Sequence, residues 1–211
     1  MECRLGKDFF TVTCQTLARK LLGQVLVRIL DDGTRLSGVI VETECYLGGE
    51  DKASHSYNGK RTERNTAMFM DPGTAYVYFV YGMYHCFNIS SEGDGSAVLI
   101  RSLQPLEGLD QMQQFRNERL KNQRALKCDK LCNGPSKLCM SMAITKDVID
   151  QRDLTVCEFL WVEKGWETPD SCIAVASRIG INSAGAEWAE KPLRFYVKGC
   201  KYVSRRLKVI H

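Results

Sequence analysis

The residues best suited to chemistry stand in the run Val39-Ile40-Val41-Glu42-Thr43-Glu44-Cys45-Tyr46, with His55 nine positions after Tyr46. A β-branched stretch of this kind reads as a strand, and strand alternation puts Glu42, Glu44 and Tyr46 on one face. A carboxylate able to act as acid or base then lies beside a flat aromatic surface, which suits chemistry on a planar substrate. Either glutamate fits the role of base, and Glu42 equally fits a structural partner for a nearby Arg or Lys.

The elements that must position these groups follow from turn and cap chemistry. Thr13 is placed to cap a helix over Cys14 to Leu22 that Gly23 ends. Gln24 to Leu30 reads as a strand, Asp31-Asp32-Gly33 as its turn, and Thr34 to Tyr46 as the returning strand that carries the acidic pair. A polar loop from Leu47 to Asn65 holds His55. Ala75 to Val80 and Tyr84 to Ser90 read as strands joined by Tyr81-Gly82-Met83. A large aromatic at a hairpin tip implies that Tyr81 has something to contact, because tips normally favour small polar residues. Ser96 to Leu103 is a further strand, buried on both faces at Val98-Leu99-Ile100, and it delivers Arg101 near its end. Pro105 and Glu107 are expected to open a helix reaching about Leu126, and Gly134-Pro135-Ser136 another. Strands return near Ile173 to Ser177 and Leu193 to Val197. The fold class is α+β: one mixed domain over residues 1–211, with a central antiparallel-rich curved sheet, surrounding helices and a protruding β-hairpin.

Composition narrows the function classes. With 44% hydrophobic and 26% charged residues the chain is ordinary for a folded globular protein and unlike a disordered one. No apolar run approaches the roughly 20 residues that cross a bilayer, and Met1-Glu2-Cys3-Arg4-Leu5-Gly6 lacks a signal-peptide core, so an intracellular protein without a membrane partner is expected. The ten cysteines are scattered through apolar segments, the pattern of reduced and mostly buried thiols. Cys128, Cys132 and Cys139 form the candidate metal cluster, but their spacing lacks paired knuckles, and no metal is expected. Basic residues gather at Lys60, Arg61 and Arg64, between Arg116 and Lys130, and from Lys191 onward where no acid follows. Such clusters suit either a polyanion-binding face or solvated surface. Tyr46, Tyr57, Tyr76, Tyr78, Tyr81 and Tyr84 fall close to the first cluster, a mixture that suits stacking bases and gripping phosphates, although Tyr76 and Tyr84 are equally good strand residues.

The segments Val41-Glu42-Thr43-Glu44-Cys45-Tyr46, Met68-Phe69-Met70, Tyr76-Val77-Tyr78, Tyr81-Gly82-Met83-Tyr84, Asn88-Ile89-Ser90-Ser91, Pro105-Leu106-Glu107-Gly108, Gly134-Pro135-Ser136-Lys137-Leu138 and Lys191-Pro192-Leu193-Arg194-Phe195-Tyr196 closely resemble the methylpurine type of 3-methyladenine (alkyladenine) DNA glycosylases. The match runs in order from about Thr13 to about Val203. The resemblance implies a monomeric enzyme, without cofactor, that flips damaged purines out of double-stranded DNA and hydrolyses the glycosidic bond, leaving an abasic site. The implied lesions are 3-methyladenine, 7-methylguanine, hypoxanthine and ethenoadenine, and the implied compartment is the nucleus, or the cytoplasm of a bacterium. It implies Glu44 as general base, Arg101 as holder of the water and the adjacent phosphate, and the backbone near Ile181 as the rest of the water site. The flipped base would lie between Tyr46 and His55 on one side and Tyr78 on the other. Asn88 would crowd the purine 2-position, and Met68 would line the pocket. Tyr81 would fill the vacated space in the duplex, with Met83, Lys137 and Arg64 as further DNA contacts. No lysine falls at a matched catalytic position, so water is the implied nucleophile. The chain departs from the family pattern at Cys45, where alanine is usual, and at His85, where an apolar residue is usual. The competing readings are a non-catalytic binder of damaged DNA and a thiol or metal protein built on Cys128, Cys132 and Cys139.

Overall fold

The structure, a computed structural model, describes residues 4–80, 82–120 and 125–206. Its strands are β1 (Val25–Ile29), β2 (Arg35–Tyr46), β3 (Ala75–Val80), β4 (Tyr84–Ser90), β5 (Ala97–Glu107), β6 (Leu160–Glu163), β7 (Ile173–Ala176) and β8 (Arg194–Val197). The helices are α1 (Lys7–Phe10), α2 (Cys14–Lys20), α3 (Leu109–Leu120), α4 (Pro135–Ser141), α5 (Lys146–Ile149) and α6 (Ala186–Glu190). All named strand pairs are antiparallel in the order β3-β4-β5-β2-β1-β6, and the architecture is α+β. The sheet forks at β2. Its first half pairs with β1 and its second half with β8, while β5 runs along its other edge and β7 borders β8.

An irregularity in the centre of this sheet aims the carboxylates. Leu36 and Ile40 of β2 point into the main core, but so do Cys45 and Thr43, whose hydroxyl donates to the Ala18 carbonyl of α2. Strict alternation cannot place both sets on one side. The ladder between β2 and β5 skips Val41 on one strand and Arg101 on the other, and there the side-chain phase inverts. Without the slip Glu42 and Glu44 would share the face of Ile40 and enter the apolar core; with it they face away. The core behind them is made by Leu17 and Leu21 of α2, Phe87 of β4, Ile100 of β5 and Leu138 of α4, all fully buried. Each such side chain contributes about 1.5–3 kcal/mol through removal from water.

Two expectations are corrected. Pro105 does not open a helix but lies inside β5 opposite Gly38, at a second register shift. Beyond the stretch paired with β4, the edge of β5 meets the chain at Cys132 and Asn133 through Leu103 and Ser102, and no strand among the described residues pairs with Pro105 on that side, where a residue without an N–H is tolerated. The helix begins at Leu109, after Gly108 (φ +75°), whose Cβ would collide with Leu36. Its described part runs to Leu120, residues 121–124 lie outside the described residues, and Leu126, included in the expected helix, is not helical; its amide donates to the Gln113 side chain. The short edge strand β6 was not legible as such, and it pairs with β1. The hairpin of β3 and β4 is present, closed by Val80 opposite Tyr84, with Tyr81 outside the described residues.

Gly23 ends α2 at φ +93°, and its carbonyl oxygen lies only 2.1 Å from where a Cβ on Gly165 would sit. Two backbones meet there, and neither can retreat easily. Gly165→Ala is therefore expected to lower stability by about 1–3 kcal/mol, the usual cost of overpacking, read as a shift in the urea midpoint at unchanged slope.

Candidate active site

Where β2, β5 and β8 meet, Glu42, Glu44, Arg101 and Arg194 are all buried. Glu44 Oε2 accepts from Arg101 Nη1 at 3.1 Å and from the Tyr46 hydroxyl at 3.1 Å, while Oε1 accepts from the Ile179 backbone N–H at 2.7 Å. Burial pushes the Glu44 carboxyl above the usual carboxylate range, and the Arg101 charge opposes that rise. Glu42 is held differently. Its Oε1 accepts from Arg194 Nη1 at 2.8 Å and Arg101 Nε at 3.3 Å, and its Oε2 accepts from Ser102 Oγ at 2.9 Å and the Ser204 N–H at 2.7 Å. Two guanidinium groups, a hydroxyl and an amide occupy the Glu42 oxygens. Of the two candidate bases, Glu42 is thus the one with four protein donors, two on each oxygen.

The three groups that hold Glu44 also line a cavity of about 460 Å³. Tyr76 and Tyr78 of β3, Asn88 of β4, Met68 and His55 also line it. Strand alternation brings Tyr76 and Tyr78 to the same side of the hairpin, and Asn88 sits opposite Tyr76 with Nδ2 donating to the Tyr76 carbonyl at 3.1 Å. That bond fixes the Asn88 amide against the pocket floor. The Tyr46 ring is backed by Arg178, whose guanidinium carbon lies 4.8 Å from the ring centre. Arg178 is itself clamped by Asp51 through Nη1 and Nη2 at 2.5 and 2.9 Å, a fully buried pair. His55 Nδ1 shares a hydrogen bond of 2.7 Å with the Tyr76 hydroxyl. Loss of solvent at its ring, followed by the nearby Arg64 charge, pushes the His55 pKa down to about 4.

Most of the expected site residues thus converge. The Ile179 backbone N–H reaches Glu44, and Ile181, two residues on, lines the cavity wall. His55 and Tyr78 touch edge to face with ring centres 4.6 Å apart, so a base sandwiched between them, which needs roughly 7 Å, requires the His55 ring to move aside. Met68 lines this cavity, and Met83, expected as a DNA contact, lies in a separate groove with Phe79, Phe115 and Met140. Lys52, absent from the sequence reading, stands at the cavity wall. Arg64 donates to the Phe79 carbonyl at 3.2 Å beside the Tyr78 ring. Lys137 donates to Asn133 at 2.9 Å, and partial burial with the neighbouring Arg116 and Lys130 charges lowers its pKa. Among the described residues no three His, Cys, Asp or Glu side chains gather as metal ligands; Cys128 lies by Tyr202 and Cys132 by Met112. Tyr76, Asp51 and Arg178 were missed as site residues. Tyr76 carried a signal in its i, i+2 spacing to Tyr78, but Asp51 and Arg178 are 127 positions apart and carried none.

Beside this aromatic cavity, whose wall groups hold a buried carboxylate, stands the chain's kinship: residues 8–201 match the methylpurine-DNA glycosylase family, and the chain belongs to it. It is 55% identical over 204 residues to the DNA-3-methyladenine glycosylase of Homo sapiens, a match covering 95% of this chain and 68% of the human protein. The proteins of the same name from Rattus norvegicus and Mus musculus are 56% and 55% identical, each across 95% of this chain. The chain spans 63% of the rat protein and 61% of the mouse protein.

The crowding of His55 has a measurable consequence. With a pKa of about 4 in the folded protein against 6.5 in a free chain, His55 stays neutral down to about pH 5. The unfolded chain takes up the proton first, so this residue's contribution to stability falls as the pH drops from 6.5 toward 4. An imidazole NMR titration is expected to show His55 protonating far below 6.5; a midpoint at 6.5 would mean the ring is free of Tyr76 and Tyr78.

Proposed function

We propose that the protein, acting as a monomer, excises damaged purines from double-stranded DNA by hydrolysis of the glycosidic bond and leaves an intact abasic site. The observation that carries this reading is the unequal treatment of two adjacent carboxylates. Glu42 is saturated by fixed donors, while Glu44, with raised proton affinity, is held by groups that open onto an aromatic cavity. A purine within the stack is out of reach, so the nucleotide turns out of the duplex at a cost of roughly a few kcal/mol, lowest for damaged or mispaired bases. The flipped base stacks against Tyr46 and Tyr78, with His55 swinging clear to admit it. Tyr81, between strands that close at Val80 and Tyr84, fills the gap left in the duplex. Asn88 crowds the purine 2-position and disfavours guanine. The C1′–N bond to the damaged base breaks with the base keeping the bonding pair, the ionised Glu44 stabilises the oxocarbenium character that develops on the sugar, and it then takes the proton of the water that attacks C1′. Arg101 orients Glu44 and the adjacent phosphate. Lys137, Arg64 and the Lys191–Lys201 segment supply phosphate contacts. The substrates are 3-methyladenine, 7-methylguanine, hypoxanthine and ethenoadenine, in the nucleus or, in a bacterium, the cytoplasm.

A metal-free assay on an inosine-containing duplex tests the reading. Free hypoxanthine and an uncleaved abasic strand are expected, with no protein–DNA adduct trapped by borohydride. Tight binding without base release would leave a damage-recognition protein. A trapped adduct would transfer the attack from water to an amine, with Lys52 at the cavity wall the first residue to substitute.

A further inference from the structure

The carboxylate that the chemistry leaves unused is the most heavily bonded group at the site. Glu42 is completely buried and ties together β2, β5, β8 and the segment after β8 through Arg101, Ser102, Arg194 and the Ser204 amide. Arg194 extends the same tie. Its Nη1 also donates to the Arg205 carbonyl at 2.8 Å, and its Nε donates at 2.8 Å to the Ser177 carbonyl, two residues before the Ile179 amide that holds Glu44. Arg101 is divided between the carboxylates, Nε on Glu42 and Nη1 on Glu44, with Nη2 at 3.5 Å from Ser204 Oγ. We propose that Glu42 and Arg194 are positioning residues for the proposed excision: through Arg101 and Ile179 they aim the donors at Glu44 and set the pH range in which Glu44 serves as base.

Stability alone is a poor reason for such a cluster. Buried ion pairs gain little over well-packed apolar residues, because removing each charge from water offsets most of the attraction. The arrangement instead makes electrostatic sense at Glu44. Its surroundings hold two cations and one further anion in the network, Arg101, Arg194 and Glu42, with Arg178 behind Tyr46. The other titratable groups that feel its charge are Cys45 and Tyr46 on β2, Tyr78 on β3 and Cys86 on β4. Among these the nearby Glu42 charge is the anion that opposes ionisation of Glu44, and Arg101 the cation that favours it most. Deleting Glu42's charge therefore makes Glu44 more acidic, whereas deleting Arg194's charge, which is paired with Glu42, leaves the Glu42 anion less compensated beside Glu44 and makes it less acidic.

The inference rests on the glycosylase reading, and one data set separates the two. Single-turnover hypoxanthine release is followed against pH for the wild type, Glu42→Gln and Arg194→Gln, each checked for folding by circular dichroism. The acidic limb is expected to move down by about one pH unit in Glu42→Gln and up by a similar amount in Arg194→Gln. Arg194→Lys, which keeps the charge, is expected to return the limb to the wild-type position at a lower rate. A merely structural role lowers the melting temperature of both variants in the same direction and leaves both limbs in place, and that result overturns the inference. If Glu42→Gln does not fold, the contrast between Arg194→Gln and Arg194→Lys decides alone. Absence of base release by the wild type would instead remove the glycosylase reading and the inference with it.

Discussion

Two carboxylates buried side by side in the middle of a sheet set the terms for the rest of this structure. Each must be kept from the apolar core and supplied with donors, because an uncompensated buried charge costs several kcal/mol, comparable to the whole stability of a domain. The paired irregularity at Val41 and Arg101 meets the first requirement by turning Glu42 and Glu44 out of the core while leaving Ile40, Thr43 and Cys45 facing it. The fork of the sheet meets the second. It admits β8, and with β8 come Arg194 and the amide of Ser204, neither of which a simple hairpin of β2 and β5 would supply.

The same constraint makes the two glutamates unequal. Glu42 meets donors from protein on every oxygen, whereas the donors to Glu44 are themselves cavity walls. A carboxylate so placed keeps its shape, has a raised affinity for protons and lies close to whatever the cavity receives. The aromatic wall depends on buried charge as well, since Tyr46 is backed by Arg178 and Arg178 is clamped by Asp51. Rigidity at the base of the pocket contrasts with its lip. There His55 is held by one hydrogen bond and an edge-to-face contact, both of which can be exchanged for a base.

What could be read from the sequence followed local rules. The β1–β2 and β3–β4 hairpins, the Thr13 cap and the common face of Glu42, Glu44 and Tyr46 all follow from alternation and turn residues within a few positions. Pro105 misled because a proline is as acceptable at the first turn of a helix as near the end of an edge-facing strand, and only the pairing with Gly38 of β2 distinguishes them. The face of Glu42 was right for an incomplete reason, since alternation alone would also have put Ile40 there. The choice between Glu42 and Glu44 was illegible, because it is made by Arg194 and Ser204, more than a hundred residues away. The Ile179 amide that reaches Glu44 was not legible either, because it stands in an irregular loop where no periodicity fixes which backbone group turns inward.

The account turns on Glu44 being the base and Glu42 its fixed neighbour. The most direct measurement is the single-turnover rate of base release by Glu44→Gln on an inosine duplex, taken together with the affinity of the same variant for that duplex. The amide keeps the shape and the hydrogen bonds from Arg101 and Ile179 but cannot accept the proton. Binding close to wild type with a rate reduced by about 10²–10⁴-fold or more is the predicted result. Base release near the wild-type rate from a folded, binding-competent Glu44→Gln protein would contradict it.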